Sequence, residues 1–242
     1  MNASGFANPI FVALDTPSAD QAVALAQSLL GSVGGLKIGL EFVAANGPDG
    51  IRRIVDLGLP VFADLKFHDI PNTVAGAVRE IAKLGVAILN VHASGGEAMM
   101  RAAAEAAATT SPKPKVIAVT VLTSLDANAL EDVGQGDDPQ LQVHRLARLA
   151  QASGLDGVVC SPQEAGIVRI ACPRPFLIVT PGVRPAGADL ADQRRVTTPA
   201  QAMAEGADIL VIGRPITEAP NPAAAARAIG AELAAATGQT GT

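Results

Sequence analysis

Aromatic side chains are scarce in this sequence, which has six phenylalanines and neither tryptophan nor tyrosine among 242 residues. Its apolar content of 49% comes mainly from alanine, valine, leucine and isoleucine. Branched aliphatic residues of this kind fill the interior of an α/β barrel, and the length suits one such barrel. A chain of this size buries roughly three-quarters of its unfolded surface, so it needs no disulfide or metal to fold.

Cysteine is also rare, with only Cys160 and Cys172. Without a secretory context we interpret both as reduced thiols rather than as a disulfide or a redox pair. Residues 1–9 lack the basic start and apolar stretch of a signal peptide, and no segment has the long apolar run of a membrane span. These absences predict a cytoplasmic protein that does not enter a membrane.

An excess of positive charge is missing as well, because 18 lysines and arginines stand against 23 acidic residues, a net charge of −5. This balance argues against a nucleic-acid-binding surface. It leaves room for a small anionic substrate, since one or two local cations are enough to bind a phosphate group.

Short apolar runs alternate along the chain with stretches of helical periodicity, eight of each. The predicted strands are residues 10–15, 36–40, 61–67, 88–93, 116–122, 157–160, 177–180 and 210–213. The predicted helices are residues 18–30, 50–57, 74–84, 96–108, 140–152, 162–170, 199–205 and 222–236. Ser18 and Asn72 are candidate N-caps.

Strand–helix alternation with right-handed crossovers produces a parallel sheet, and eight units favour closure into a (β/α)8 barrel. The alternative is an open, doubly wound sheet. No linker or repeat divides the chain, so we expect one catalytic domain over residues 1–242. Residues 1–9 are read as an extension and residues 237–242 as a tail. Residues 125–138 have the Asp and Gly content of a loop.

Polar residues stand where several predicted strands end, which is the catalytic face of such a barrel. Along residues 61–67 side chains alternate, so Val61, Ala63, Leu65 and Phe67 would face the helices. Phe62, Asp64 and Lys66 would then point into the barrel. Two charges there are costly unless they are paired. Lys37 and Asp69 can extend the pair into an alternating array, and the alternative is an ion pair with a purely structural role.

Such an array has a chemical use. A lysine between carboxylates keeps its proton, because nearby negative charge favours the charged form. It can still deliver that proton to a carbanion forming beside it, as a general acid. A fixed carboxylate would also repel a carboxylate on the substrate, which favours loss of CO2.

A phosphate site is predicted on the other side of the barrel mouth. Arg214 follows Gly213 at the end of the eighth strand, and the loop after the seventh holds Arg184 and Gln193. Phosphate sites in these barrels are commonly built from the loops after strands seven and eight. Glycine lets a backbone N–H approach the oxygens, and arginine can clamp them with two hydrogen bonds.

Over nearly its whole length the sequence resembles the orotidine 5′-phosphate decarboxylase family of the bacterial type. The most specific match is residues 64–73, with the sequence DLKFHDIPNT. Residues 119–124 (VTVLTS), 180–184 (TPGVR) and 211–216 (VIGRPI) match in order and spacing. The resemblance implies a homodimer with shared active sites that decarboxylates orotidine 5′-monophosphate without a metal or an organic cofactor.

The resemblance also implies roles for single residues. Lys66 would protonate C6 of the pyrimidine, Asp64 would face the substrate carboxylate, and Lys37 and Asp15 would hold the ribose hydroxyls. The residues implied to reach the neighbouring subunit's site are Asp69, Ile70 and Thr73. The residues implied to contact the pyrimidine or the phosphate are Thr123, Ser124, Pro181, Arg184, Gln193, Gly213 and Arg214.

Two alternatives stay open. One is a Mg²⁺-dependent sugar-phosphate decarboxylase or synthase of the same superfamily, against which Lys37 argues because a lysine repels a cation. The other is a non-catalytic barrel that acts as a binding protein. The charge array argues against it, because buried charges that serve no reaction would only lower the stability of the fold. His68 and His92 are interpreted as structural residues rather than bases, and no Cys/His spacing suggests zinc.

Overall fold

Eight parallel strands close into a barrel in chain order in the structure, a computed structural model that describes residues 5–185 and 197–238. The strands are β1 (Ile10–Ala13), β2 (Gly35–Ile38), β3 (Val61–Phe67), β4 (Ile88–His92), β5 (Lys115–Val119), β6 (Gly157–Val159), β7 (Leu177–Pro181) and β8 (Ile209–Ile212). β8 pairs with β1, so the sheet has no edge. The predicted (β/α)8 class is confirmed, and the open doubly wound sheet is excluded.

Helices surround this barrel. Within the described residues they are α1 (Ala19–Ser28), α2 (Leu40–Val55), α3 (Pro71–Ala82), α4 (Gly96–Ala108), α5 (Ala127–Asp132), α6 (Pro139–Ala152), α7 (Ala165–Ala171), α8 (Pro199–Ala204), α9 (Arg214–Thr217) and α10 (Pro222–Gly238). Two short helices were not predicted. α5 lies inside the predicted loop 125–138, where Asp126 caps it, and α9 follows β8 directly.

The region after β2 differs most from the prediction. The second strand was predicted to reach residue 40 and the next helix to begin at residue 50, whereas β2 ends at Ile38 and α2 begins at Leu40. Gly47 has a φ of 59°, and Pro48 follows it, so α2 is two helical pieces joined at a kink. Proline cannot continue a regular helix, which is why the first piece was not predicted from the sequence.

Helix starts were predicted with mixed success. Ser18 caps α1, accepting a hydrogen bond from the Gln21 N–H, as expected. Asn72 does not cap the next helix, because α3 already begins at Pro71. Proline suits this first position since its missing N–H would have no partner there.

Two apolar layers share the barrel strands. The barrel interior is filled by a cluster that contains Phe11, Phe62, Ile88, Ile117, Val179 and Ile209. The larger layer, between the barrel and the helices, takes Val61, Ala63 and Leu65 from β3. The predicted alternation along this strand is thereby confirmed. Phe62 fills the interior low in the barrel, and the charged residues of the same face follow it toward the carboxyl end.

Cys160 and Cys172 are both buried and free, in agreement with the interpretation as reduced thiols. Burial is also the main reason that the pKa of each thiol is raised above its ordinary value. Across the part of the chain that the structure describes, no helix combines the length and apolar character needed to span a bilayer.

Candidate active site

Asp64 and Lys66 form an ion pair at the carboxyl end of β3. Lys66 Nζ lies 2.7 Å from Asp64 Oδ1. The Asp64 side chain is 17% exposed and that of Lys66 is 29% exposed, so solvent weakens the pair little on the carboxylate side. The predicted i, i+2 pair on the inner face of this strand is therefore present.

Lys37 extends the pair to the neighbouring strands. It is buried on β2, with Nζ 2.7 Å from Asp15 Oδ1 and 4.0 Å from Asp64 Oδ2. Asp15 stands just beyond β1, where its side chain is 63% exposed. The four side chains form a row of alternating charge, which we call the charge array: Asp15, Lys37, Asp64 and Lys66. Charges arranged in this order offset part of the desolvation cost of each.

The backbone is irregular where β3 carries these charges. Ala63 pairs with Leu89 but Phe67 pairs with Val91, so β3 has two more residues than β4 in this interval. Lys66 has a φ of 53°, and no other non-glycine residue in the described ranges has a positive φ. The left-handed region costs an L-residue of order 1–3 kcal/mol and is found disproportionately at functional sites.

Asn90 holds the irregular segment from β4. Its Nδ2 donates to Asp64 Oδ1 over 2.7 Å, and its Oδ1 accepts from the Lys66 N–H over 2.7 Å. The side chain is fully buried. Sequence reasoning missed this residue, although an asparagine among the apolar residues of a buried strand is a signal that could have found it.

The two histidines form a pair beside the array. The rings of His68 and His92 have centroids 5.5 Å apart and are tilted by 36°. Burial is the main cause that lowers the pKa of His92, and the charges of His68 and Lys66 act in the same direction, against Asp64. A neutral His92 at the end of β4 leaves the region around Lys66 with less positive charge.

The residues that follow β3 are exposed and lie outside the charge array. Asp69 Oδ1 accepts a hydrogen bond from the Ile70 N–H over 2.6 Å, and within the described residues Asp69 has no ion pair with the array. The Ile70 residue is 68% exposed. Thr73 is exposed in the first turn of α3. One chain therefore does not bring Asp69 into the array that the sequence suggested.

Further candidate residues lie at the ends of β5 and β7. Thr123 and Ser124 are exposed in a turn after β5. Pro181 is the last residue of β7 and pairs with Val211 of β8. Val211 belongs to the interior cluster, so this end of β7 borders the barrel mouth.

The proposed phosphate side is described in part. Arg184 is buried, and its backbone N–H donates to the Thr197 carbonyl over 3.2 Å. Gly213 precedes α9, and Arg214 is the exposed first residue of that helix. Asp15 Oδ2 would lie 3.9 Å from a Cβ built at Gly213, so the end of β8 adjoins the charge array. Gln193 lies outside the described residues.

Within the described ranges no three His, Cys, Asp or Glu side chains are grouped to hold a metal ion. Chemically the array provides two ammonium groups as proton or hydrogen-bond donors and two carboxylates. An ammonium beside a fixed carboxylate suits proton transfer to a substrate carbon that gains negative charge.

Comparison with known families identifies the group to which this barrel is related. The model of the orotidine 5′-phosphate decarboxylase / HUMPS family matches residues 8–229. The chain belongs to this family. The match includes the whole barrel, from β1 to β8, and all residues of the charge array.

Individual members of the family are similar along most of their length. The orotidine 5′-phosphate decarboxylase of Paramagnetospirillum magneticum is 54% identical over 231 residues, which cover 93% of this chain and 98% of that protein. The enzyme of the same name from Moorella thermoacetica is 58% identical, with 93% and 91% covered. The crystal structure of orotidine 5′-phosphate decarboxylase from Lactobacillus acidophilus has a TM-score of 0.84 at 38% identity, with 93% and 99% covered.

Proposed function

We propose that this chain converts orotidine 5′-monophosphate into uridine 5′-monophosphate and CO2, the last step of UMP synthesis. The charge array at the barrel mouth is the observation that carries this proposal, because it places an ammonium and a carboxylate 2.7 Å apart on one inner strand face. The decarboxylases that share over half of their residues with the chain support the same activity.

Lys66 acts as the proton donor in this reaction. The bond between C6 of the pyrimidine and its carboxyl carbon breaks, CO2 leaves, and the electron pair remains on C6. Lys66 Nζ then transfers a proton to that carbon, which is general acid catalysis. Asp64 lies against the substrate carboxylate and repels it, whereas the developing carbanion is closer to the ammonium. Lys37 and Asp15 bind the ribose hydroxyls.

The rest of the substrate is held around the mouth. Thr123, Ser124 and Pro181 meet the pyrimidine. The phosphate is surrounded by the residues of the last two strand ends, namely Arg184, Gln193, Gly213 and Arg214. Binding energy from this non-reacting phosphate can be used at the reacting carbon, because it fixes the base against the array.

A second copy of the chain completes each site. Asp69, Ile70 and Thr73 reach across a two-fold interface into the neighbouring site, where Asp69 becomes the last charge of the array. The 68% exposure of Ile70 is in keeping with this proposal, since burying an apolar side chain against a partner is favourable. Within the described residues, Asp69 forms no ion pair with the array of its own chain, and its Oδ1 accepts from the Ile70 N–H instead.

Turnover of orotidine 5′-monophosphate in the presence of EDTA tests the reaction. Purified protein is expected to remove the orotate absorbance without any added metal, because lysine supplies the proton. No turnover in this mixture would refute the proposed activity. Activity that returns only with Mg²⁺ and a sugar phosphate would instead identify a metal-dependent enzyme of the superfamily.

Hybrid dimers test the shared site. Lys66→Ala and Asp69→Ala chains are each expected to be inactive alone, since every site of either homodimer lacks one group. Co-expressed in equal amounts, they should recover about one quarter of the wild-type activity, because half of the dimers are hybrids with one intact site in two. Turnover per protomer is the measurement, and sedimentation velocity verifies the dimer. No recovery in verified hybrids would place Asp69 in its own chain's site.

A further inference from the structure

Asn90 lies in the barrel interior with its whole side chain buried, although Ile88, the residue below it on the same face of β4, is apolar. We infer that Asn90 is a positioning residue that fixes both Asp64 and Lys66 for the decarboxylation. The inference rests on the proposed function, which names the reaction that these two residues serve.

The hydrogen bonds of Asn90 determine which way its amide faces. A carboxylate can only accept hydrogen bonds and a backbone N–H can only donate one. Nδ2 must therefore face Asp64 and Oδ1 must face the Lys66 N–H. The structure has this orientation, with both hydrogen bonds 2.7 Å long. Of the side chains of this size, leucine supplies neither group and aspartate supplies only the acceptor.

The acceptor side of the amide stabilises an unfavourable backbone. Lys66 adopts a φ of 53° in the segment where β3 and β4 lose their register. A residue in this region persists only when its surroundings hold it. The hydrogen bond from the Lys66 N–H to Asn90 takes the place of a hydrogen bond between the strands. It thereby fixes the backbone position of Lys66 and the direction in which its side chain leaves the backbone.

The donor side of the amide orients the carboxylate. Asn90 Nδ2 and Lys66 Nζ both donate to Oδ1 of Asp64, while Oδ2 lies 4.0 Å from Lys37 Nζ. Two donors on one oxygen restrict rotation of the carboxylate, so its other oxygen faces Lys37. One amide thus determines where the repelling carboxylate and the donating ammonium stand relative to each other.

Asn90→Ala separates this role from a structural one. Its kcat is expected to fall about tenfold to a hundredfold, the range for a hydrogen bond to a charged group. Its Kd for uridine 5′-monophosphate should stay within about threefold of wild type, because the phosphate and base contacts are untouched. Kinetics at saturating substrate and calorimetric titration with the product measure the two quantities, and circular dichroism verifies the fold.

Asn8→Ala is the matched control. Asn8 lies at the opposite end of the barrel and likewise accepts from a backbone N–H, that of Ile10, but its amide donates to the neutral carbonyl of Ser32 and not to a carboxylate. This variant should keep the wild-type kcat even if it unfolds more easily.

Asn90→Asp keeps the volume and the acceptor but sets a second carboxylate against Asp64, so its kcat should fall at least as far as that of Asn90→Ala. A folded Asn90→Ala or Asn90→Asp protein with the wild-type kcat would overturn the inference, as would losses of kcat and product affinity of equal size. An inactive wild-type protein would instead refute the proposed function, so the two failures are distinguishable.

Discussion

A Lys66→Ala variant is expected to lose decarboxylation activity by about 10²–10⁴-fold or more while remaining folded. The proton that C6 requires would then have to come from water rather than from an ammonium group held beside the array. Asp64 keeps its hydrogen bond from Asn90 and its neighbour Lys37, so the carboxylate is not left without a partner. Loss of orotate absorbance over hours measures the residual rate.

Lys83→Ala is a suitable control for this experiment. Lys83 also pairs with a carboxylate at 2.7 Å, that of Glu80, but on the exposed surface after α3. An exposed pair contributes little to stability, so the control should retain both fold and rate. A Lys66→Ala protein that turned over as fast as the control would show that another group delivers the proton.

Asp208→Ala should be the most destabilising single change that the structure points to, lowering the free energy of unfolding by about 3–5 kcal/mol. Asp208 is buried just before β8, where its carboxylate pairs with Arg169 and lies 3.1 Å from Arg174 Nη2. It also accepts from the Ile178 N–H over 2.9 Å. Alanine would leave the guanidinium of Arg169, whose side chain is only 15% exposed, without its counter-charge.

Urea unfolding measures this loss of stability. Asp49→Ala is the control, because the ion pair between Asp49 and Arg52 is exposed to solvent. Asp208 stands at the amino end of the strands, opposite the charge array. The decarboxylation rate per folded molecule of Asp208→Ala should therefore equal that of the wild-type protein. A stability equal to that of the control would mean that the buried ion pair contributes nothing net.

The parts of the fold that repeat a simple pattern were predictable from the sequence. β3 was predicted with its observed bounds because its apolar run is interrupted only by Asp64 and Lys66, which are two positions apart and so lie on one face. Leu40 was misassigned for the opposite reason: Gly47 and Pro48 interrupt the periodicity that would have marked the helix. A short helix such as α5 has too few turns to show a periodicity at all.

The residues of the candidate site also fall into those that the sequence could predict and those that it could not. Asp64 and Lys66 are two residues apart, so strand geometry alone places them together. Asn90 comes from another strand, and its contact with them depends on the loss of register between β3 and β4, which no sequence spacing records. Arg169 of α7 and Asp208 are 39 positions apart, and they meet because β7, which follows α7, pairs with β8, which follows Asp208.

The loss of register on β3 has a consequence for how this strand can change during evolution. The segment from Ala63 to Phe67 contains two additional residues, an even number, so both ends still face the helix layer. One residue more or fewer would exchange the two faces, turning Lys66 outward and Phe67 inward. Insertions and deletions upstream of Lys66 in β3 are therefore compatible with activity only in pairs.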